Sequence, residues 1–143
     1  MKKILVINGP NLNLLGIREP DLYGSQTYAQ LVAFIEAAGQ ALGLDVTVFQ
    51  SNSEGALVSR IQEAYATYDG IVINAAAYTH TSVAILDALK AVGLPTVEVH
   101  LTDIHTRESF RQHSFISLYA SETFCGFGFE GYRKALAYLA KEK

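Results

Sequence analysis

The chain has 143 residues, half of them apolar and 17% charged, which is the composition of one globular domain large enough to bury a core. A net charge of -3 and a pI near 5.7 argue against a nucleic-acid partner, so an anionic ligand would have to be held by a local cluster of arginine or histidine. The single cysteine, Cys125, excludes an intramolecular disulfide and a Cys-based metal site, and no apolar run approaches a membrane span; the expectation is a soluble, cytoplasmic protein.

Only four apolar residues follow the basic start Met1-Lys2-Lys3 before Asn8-Gly9-Pro10, too few for the apolar stretch of a signal peptide. Residues 3–8 (KILVIN) read as a buried strand. Over residues 28–42, Leu31, Phe34, Ile35, Ala38 and Leu42 fall at helical spacing, with Gly43 placed to stop the helix. Residues 45–50 (DVTVFQ) form a second strand, and 54–68 a second helix with Leu57, Ile61, Ala64 and Tyr65 on one face. A third strand at 70–74 (GIVIN) leads to a third helix at 81–92, capped by Thr81 or Ser82. A fourth strand at 96–100, a short helix around 107–111, a fifth strand within 121–125 and a last helix at 130–141 complete the pattern.

Apolar strands alternating with helices predict a single-domain α/β protein. Its parallel sheet should be doubly wound and flavodoxin-like, with five strands in the order 2-1-3-4-5. The connection over residues 9–27 is too long for an ordinary strand-to-helix loop, and loops of that length in compact domains are usually functional.

Ligands of such sheets bind beyond the carboxyl ends of the strands. The first strand is followed there by Asn8, Gly9, Pro10 and Asn11, then by the long loop with Arg18, Glu19 and Tyr23. Gln50, Ser51, Asn52 and Glu54 follow the second strand, and the third ends in Asn74 ahead of Tyr78, Thr79 and His80. The fourth ends in Glu98 and His100, with Thr102, Asp103, His105, Arg107 and Arg111 beyond. All four histidines (His80, His100, His105 and His113) fall in one quarter of the chain, and the strand ends together supply Asn, His, Arg and Tyr to one edge of the sheet. No GxGxxG, GxxxxGK[ST] or GxSxG occurs, and the six lysines lie at the termini or on helices, so nucleotide binding and Schiff-base chemistry have no support. What remains is acid–base chemistry, suited to removing a proton next to a carbonyl and expelling a leaving group.

The segments ILVINGPNLNLLGIREPDLYG (4–24), QSNSEG (50–55), AYTHTSVAILDAL (77–89), VEVHLTDIHTRESFRQHS (97–114) and CGFGFEGYRKAL (125–136) resemble the type II 3-dehydroquinate dehydratases, in order and over essentially the whole chain. The resemblance implies dehydration of 3-dehydroquinate to 3-dehydroshikimate with no metal and no cofactor, by a homo-oligomer, a dodecamer built as a tetramer of trimers. It implies Tyr23 as the base on a lid loop at about residues 18–26, with Arg18 beside it. Asn11 would hold the water that stabilises an enolate, His100 would be the general acid, and Glu98 would orient it. His80 and Arg111 match residues that bind ring hydroxyls. Asn74 and the backbone N–H groups of Leu101 and Thr102 match the carboxylate site, and Asp87 matches a residue reaching the neighbouring subunit's site.

Each residue also has a plainer reading. Tyr23 could be a packed loop aromatic, Arg18-Glu19 a solvated ion pair and Asn11 a turn former. Glu98 could pair with Arg107 or Arg111, and Asp87 could lie on a solvated helix face. Five residues at three places depart from the family pattern: Ala75-Ala76 stand where Pro-Gly is usual, Thr102-Asp103 where Ser-Asn is usual, and Ser53 where His is frequent. Loss of the glycine should displace the loop after Asn74, and Asp103 should add negative charge near the carboxylate site. A flavodoxin-like binding module, a histidine metal hydrolase using His80, His100, His105 and in addition Asp103, and a family member that turns over little are the alternatives.

Overall fold

Strand β1 (Lys3–Asn8) is buried from Ile4 onward, and its side chains feed two separate cores. The computed structural model describes residues 1–142, without the side chain of Tyr23. With β2 (Asp45–Gln50), β3 (Gly70–Asn74), β4 (Thr96–His100) and β5 (Glu122–Cys125), β1 forms an all-parallel sheet of order β2-β1-β3-β4-β5, the expected order. Because side chains alternate across a strand, Ile4 and Val6 face one layer and Leu5 and Ile7 the other.

The first layer is closed by α2 (Tyr28–Ala41) and α5 (Glu130–Lys141), through Leu31, Ile35, Tyr132 and Leu136 against Val72, Val97 and Val99. The second is closed by α3 (Glu54–Glu63) and α4 (Val83–Val92), through Leu57, Ile61, Ile85 and Leu89 against Ile71 and Ile73. Burial on both faces explains why β3 and the centre of β1 carry unbroken aliphatic runs.

Local chemistry sets the helix starts. Thr27 and Gln30 form a capping box at α2, the Ser53 hydroxyl accepts from Ala56 N–H at α3, and the Ser82 hydroxyl from Ile85 N–H at α4. Each such cap contributes about 1 kcal/mol. Helix α3 ends at Glu63, short of the expected residue 68. Its last N–H groups bond three residues back, and Ala66 turns to φ 60°, which folds Tyr68 back so that its hydroxyl accepts from Arg60. The short helix expected at 107–111 is instead two single 3-10 turns, Ile104–Thr106 and Ser109–Arg111. The connection over 9–27 contains a 3-10 turn at Leu12–Leu14 and one helical turn, α1 (Pro20–Tyr23).

Register aligns the strand ends that matter. Asn8 pairs with both Gln50 and Asn74, giving a row of three amides across β2, β1 and β3. Glu98 pairs with Ile73, which carries His100 one residue beyond that row. Gly9 makes the exit from β1 possible: its N–H donates to the Asn74 carbonyl at 2.8 Å, and a Cβ there would sit 2.4 Å from the Ala75 carbonyl oxygen.

Candidate active site

Beneath the strand ends lies a buried polar network. The Tyr132 hydroxyl donates to Asn8 Oδ1 (2.7 Å) and accepts from Asn74 Nδ2 (3.0 Å), while Asn8 Nδ2 donates to the Tyr28 hydroxyl (3.3 Å). Asn74 Oδ1 accepts from Ala76 N–H at 3.1 Å, so both ends of the Asn74 amide are fixed. Burial pushes the Tyr132 phenol far above its ordinary range and the Tyr28 phenol upward as well, so both remain neutral hydroxyls. The sequence offered a signal for this network, since two otherwise aliphatic strands each end in Ile-Asn; its third member, Tyr132, comes from the far end of the chain.

At the end of β4, Glu98 is wholly buried and His100 nearly so. Glu98 Oε2 accepts from His100 Nε2 (2.5 Å) and from the Ser114 hydroxyl (2.6 Å), and Oε1 accepts from the Ser117 (2.5 Å) and Thr123 (3.1 Å) hydroxyls. Burial alone would push this carboxyl up. The hydrogen bond and charge of His100, joined by the Ser114 and Ser117 hydroxyls, outweigh it and hold Glu98 below the usual carboxylate range. An ionised Glu98 accepts only, so Nε2 carries a proton and Nδ1 is the nitrogen that Glu98 leaves unengaged. Of the readings open for Glu98, the one realised is the histidine partner. Arg107 and Arg111 both meet Glu108 instead, at 3.7 and 3.1 Å.

His80 Nδ1 lies 2.7 Å from the His113 carbonyl, which can only accept, so Nδ1 bears the proton and Nε2 is an acceptor. Partial burial, with His100, Arg111 and Arg107 nearby, lowers the His80 pKa against the pull of that carbonyl, and the ring is neutral near pH 7. One cleft collects Asn11, Arg18, Asn74, His80, His100 and Arg111, with Leu101 and Thr102 in its wall. Asn11 reaches it from a left-handed backbone, φ 69°, with its N–H donating to Asn52 Oδ1 (3.0 Å). It is thus both a turn residue and a cleft residue. Arg18 lines the cleft and lies 3.5 Å from Glu19. Arg107, also in the wall, donates to the Thr102 hydroxyl at 3.4 Å.

The remaining site residues lie elsewhere or outside the description. The backbone of Tyr23 ends α1, and its side chain is outside the described residues. Asp87 is exposed on α4 and does not line the cleft of this chain. The Asp103 side chain does not line the cleft, although the residue directly follows Thr102, which does. Its side chain accepts instead from His105 N–H (3.0 Å), and these bonds hold it below the usual carboxylate range. Nor has the loop after Asn74 escaped the backbone demand of the missing glycine: Ala76 adopts φ 52°. A left-handed alanine costs roughly 1–2 kcal/mol, and the Asn74 side chain bonded to Ala76 N–H helps to hold it there.

Residues 2–140 match the family described as dehydroquinase class II. The chain belongs to that family. It is 55% identical over 141 residues to a 3-dehydroquinate dehydratase of Bordetella petrii, covering 98% of both chains. It is 53% identical over 139 residues to a catabolic 3-dehydroquinase of Aspergillus clavatus, covering 97% of this chain and 93% of the relative. Among solved structures, the type II dehydroquinase of Butyrivibrio crossotus superposes with a TM-score of 0.95 at 46% identity, covering 96% of this chain and 97% of that one. Membership of the family accounts for the segments singled out in the sequence, and the flavodoxin-like order of the strands agrees with it.

Proposed function

We propose that this chain dehydrates 3-dehydroquinate to 3-dehydroshikimate, with Tyr23 as base and His100 as acid. The observation that carries the reading is the Glu98–His100 pair opening onto the same cleft as Asn11, Arg18, Asn74, His80 and Arg111, in a chain of the class II dehydroquinase family.

The reaction removes the C2 proton beside the ketone and then expels the C1 hydroxyl. A free tyrosine is only about one part in a thousand phenolate at pH 7. Arg18, five residues before Tyr23 in the sequence, supplies a permanent positive charge, and lowering the phenol pKa by roughly two units is worth about 2.7 kcal/mol. The enolate oxygen is stabilised by a water held on the Asn11 amide. Glu98 fixes the His100 ring so that Nδ1 delivers the proton with which hydroxide leaves as water. Ring hydroxyls bind the acceptor nitrogen of neutral His80 and the Arg111 guanidinium, and the substrate carboxylate binds the Asn74 amide with the Leu101 and Thr102 N–H groups. This reaction sequence transfers protons and expels water with no net change of oxidation state, so it needs no redox cofactor.

Residues at about 18–26 act in this reading as a lid that carries the base over bound substrate. Assembly as a dodecamer of four trimers brings Asp87 of one subunit to its neighbour's cleft, in keeping with its exposure on α4. The enzyme works in the cytoplasm. The same step serves aromatic biosynthesis and quinate breakdown, and a product assay reads either. Purified protein mixed with 3-dehydroquinate in EDTA is expected to generate the ultraviolet absorbance of the conjugated enone, and Tyr23→Phe to lower the rate by orders of magnitude. A folded wild-type protein without turnover sinks the proposal; full activity in Tyr23→Phe sinks the assignment of the base.

A further inference from the structure

Three side chains outside the cleft converge at the junction of β4 and β5. Asp103 Oδ1 lies 3.1 Å from His105 Nδ1 and 3.8 Å from Cys125 Sγ, and all three atoms fall within 4.8 Å of one another. Zinc with N or O ligands at about 2.0–2.2 Å and sulfur at about 2.3 Å in a tetrahedron separates neighbouring ligand atoms by about 3.3–3.7 Å. The two measured edges already bracket that range. We propose that Asp103, His105 and Cys125 form a three-ligand site for Zn²⁺, with the fourth position open to water.

The surrounding framework holds the ligands in place. Cys125 sits on β5, in register with His100 of β4, while Asp103 and His105 lie on the turn that follows β4. Asp103 is tied by the His105 N–H, and the Thr106 hydroxyl donates to its carbonyl at 2.8 Å. Gly126 lets the two segments approach: its φ is +87°, and a Cβ there would meet Asp103 Cβ at 3.2 Å. The Asp103 and His105 side chains are 47% and 67% exposed, which leaves a path for the ion and its water. Imidazole and thiolate favour Zn²⁺ over hard Mg²⁺ or Ca²⁺, which take oxygen ligands. On binding, the thiol gives up its proton to solvent and the sulfur bonds the metal.

The site is distinct from the cleft, yet adjacent to it. Leu101, Thr102 and Ile104 line the cleft, and Asp103 and His105, which alternate with the last two, do not. The ion would therefore brace the segment carrying the Leu101 and Thr102 N–H groups without touching substrate. One cysteine is too few for a Cys-based site, but it can serve in a mixed one. The three ligands come together only when the parallel pairing of β4 and β5 brings Cys125 beside Asp103, 22 residues earlier in the chain.

Co²⁺ is the probe, because a cobalt–thiolate bond gives a near-ultraviolet charge-transfer band that histidine and carboxylate alone do not produce. Metal-free, reduced wild-type protein titrated with Co²⁺ is expected to develop this band, saturating at about one ion per chain, and to lose it when Zn²⁺ is added. Cys125→Ser should abolish the band, and Asp103→Asn and His105→Ala should each weaken binding at least tenfold. His105 is exposed, so its variant tests the site even if the serine variant folds poorly. No band in the wild type, a band that survives in Cys125→Ser, or unchanged affinity in His105→Ala each overturns the proposal.

Discussion

Replacing Glu98 by glutamine removes one buried charge and keeps nearly the same shape. The carboxylate accepts four hydrogen bonds, from His100 Nε2 and from the Ser114, Ser117 and Thr123 hydroxyls. Converting charge-assisted bonds to neutral ones loses about 1 kcal/mol each, or about 4 kcal/mol in all. Against this stands the cost of burying a carboxylate, an effective several kcal/mol that the amide escapes. The hydroxyls can rotate to accept from the new amide N–H₂, while its oxygen still faces His100. The two effects nearly cancel, and Glu98→Gln is expected to change unfolding free energy at pH 7 by less than about 2 kcal/mol. Glu98→Ala instead strands buried donors and leaves a cavity, at about 4 kcal/mol. The pH profile separates the cases further. In the folded chain Glu98 titrates below its ordinary value, so between the two values the unfolded chain binds more protons. The stability it contributes is complete above about pH 4.3 and is lost as pH falls through the folded-state pKa. Urea unfolding from pH 7 down to about pH 3.5 is expected to show this acid limb shallower in Glu98→Gln than in wild type. Turnover should fall about 100-fold in the same variant, the low end of what a positioned acid supplies. Parallel acid limbs, or a glutamine variant as unstable as the alanine variant, would refute an ionised, fully satisfied Glu98.

Two further perturbations address the frame around the cleft. Tyr132→Phe removes the hydroxyl joining Asn8 to Asn74 and should cost about 2–3 kcal/mol in thermal or urea unfolding, because two buried amide groups lose a partner. Its KM for 3-dehydroquinate should rise more than its kcat falls, since Asn74 is loosened while His100 is untouched; an unchanged KM would detach the network from binding. Gly9→Ala forces a Cβ to within 2.4 Å of the Ala75 carbonyl oxygen and should destabilise by more than about 3 kcal/mol, seen as a lowered melting temperature or as insoluble expression.

The sequence by itself determined the order of elements, because period-2 and period-3.6 burial is written into each segment independently of its partners. The short aliphatic runs at 4–7 and 71–73 read as strands covered on both faces, and with alternating helices they fit the doubly wound order 2-1-3-4-5 that the sheet adopts. It also placed Asn11, Arg18, Asn74, His80, His100 and Arg111 on one edge, since strand ends and the loops after them are local features, and the motif segments carried the family. The end of α3 was not legible: the helix stops at Glu63, Ala66 turns to φ 60°, and Tyr68 folds back onto Arg60, a contact no helical periodicity encodes. Partner choice was hidden as well. Charge suggested an arginine for Glu98, but its oxygens are filled by His100 and by hydroxyls from residues 114, 117 and 123, which irregular segments deliver. Asp103 turning toward His105 and Cys125, Ala76 keeping a left-handed backbone, and Tyr132 closing a network with Asn8 from 124 residues away were decided in the same way. Periodicity reports which face of an element is buried; which polar atoms meet there depends on distances across elements, and only the packed chain sets those.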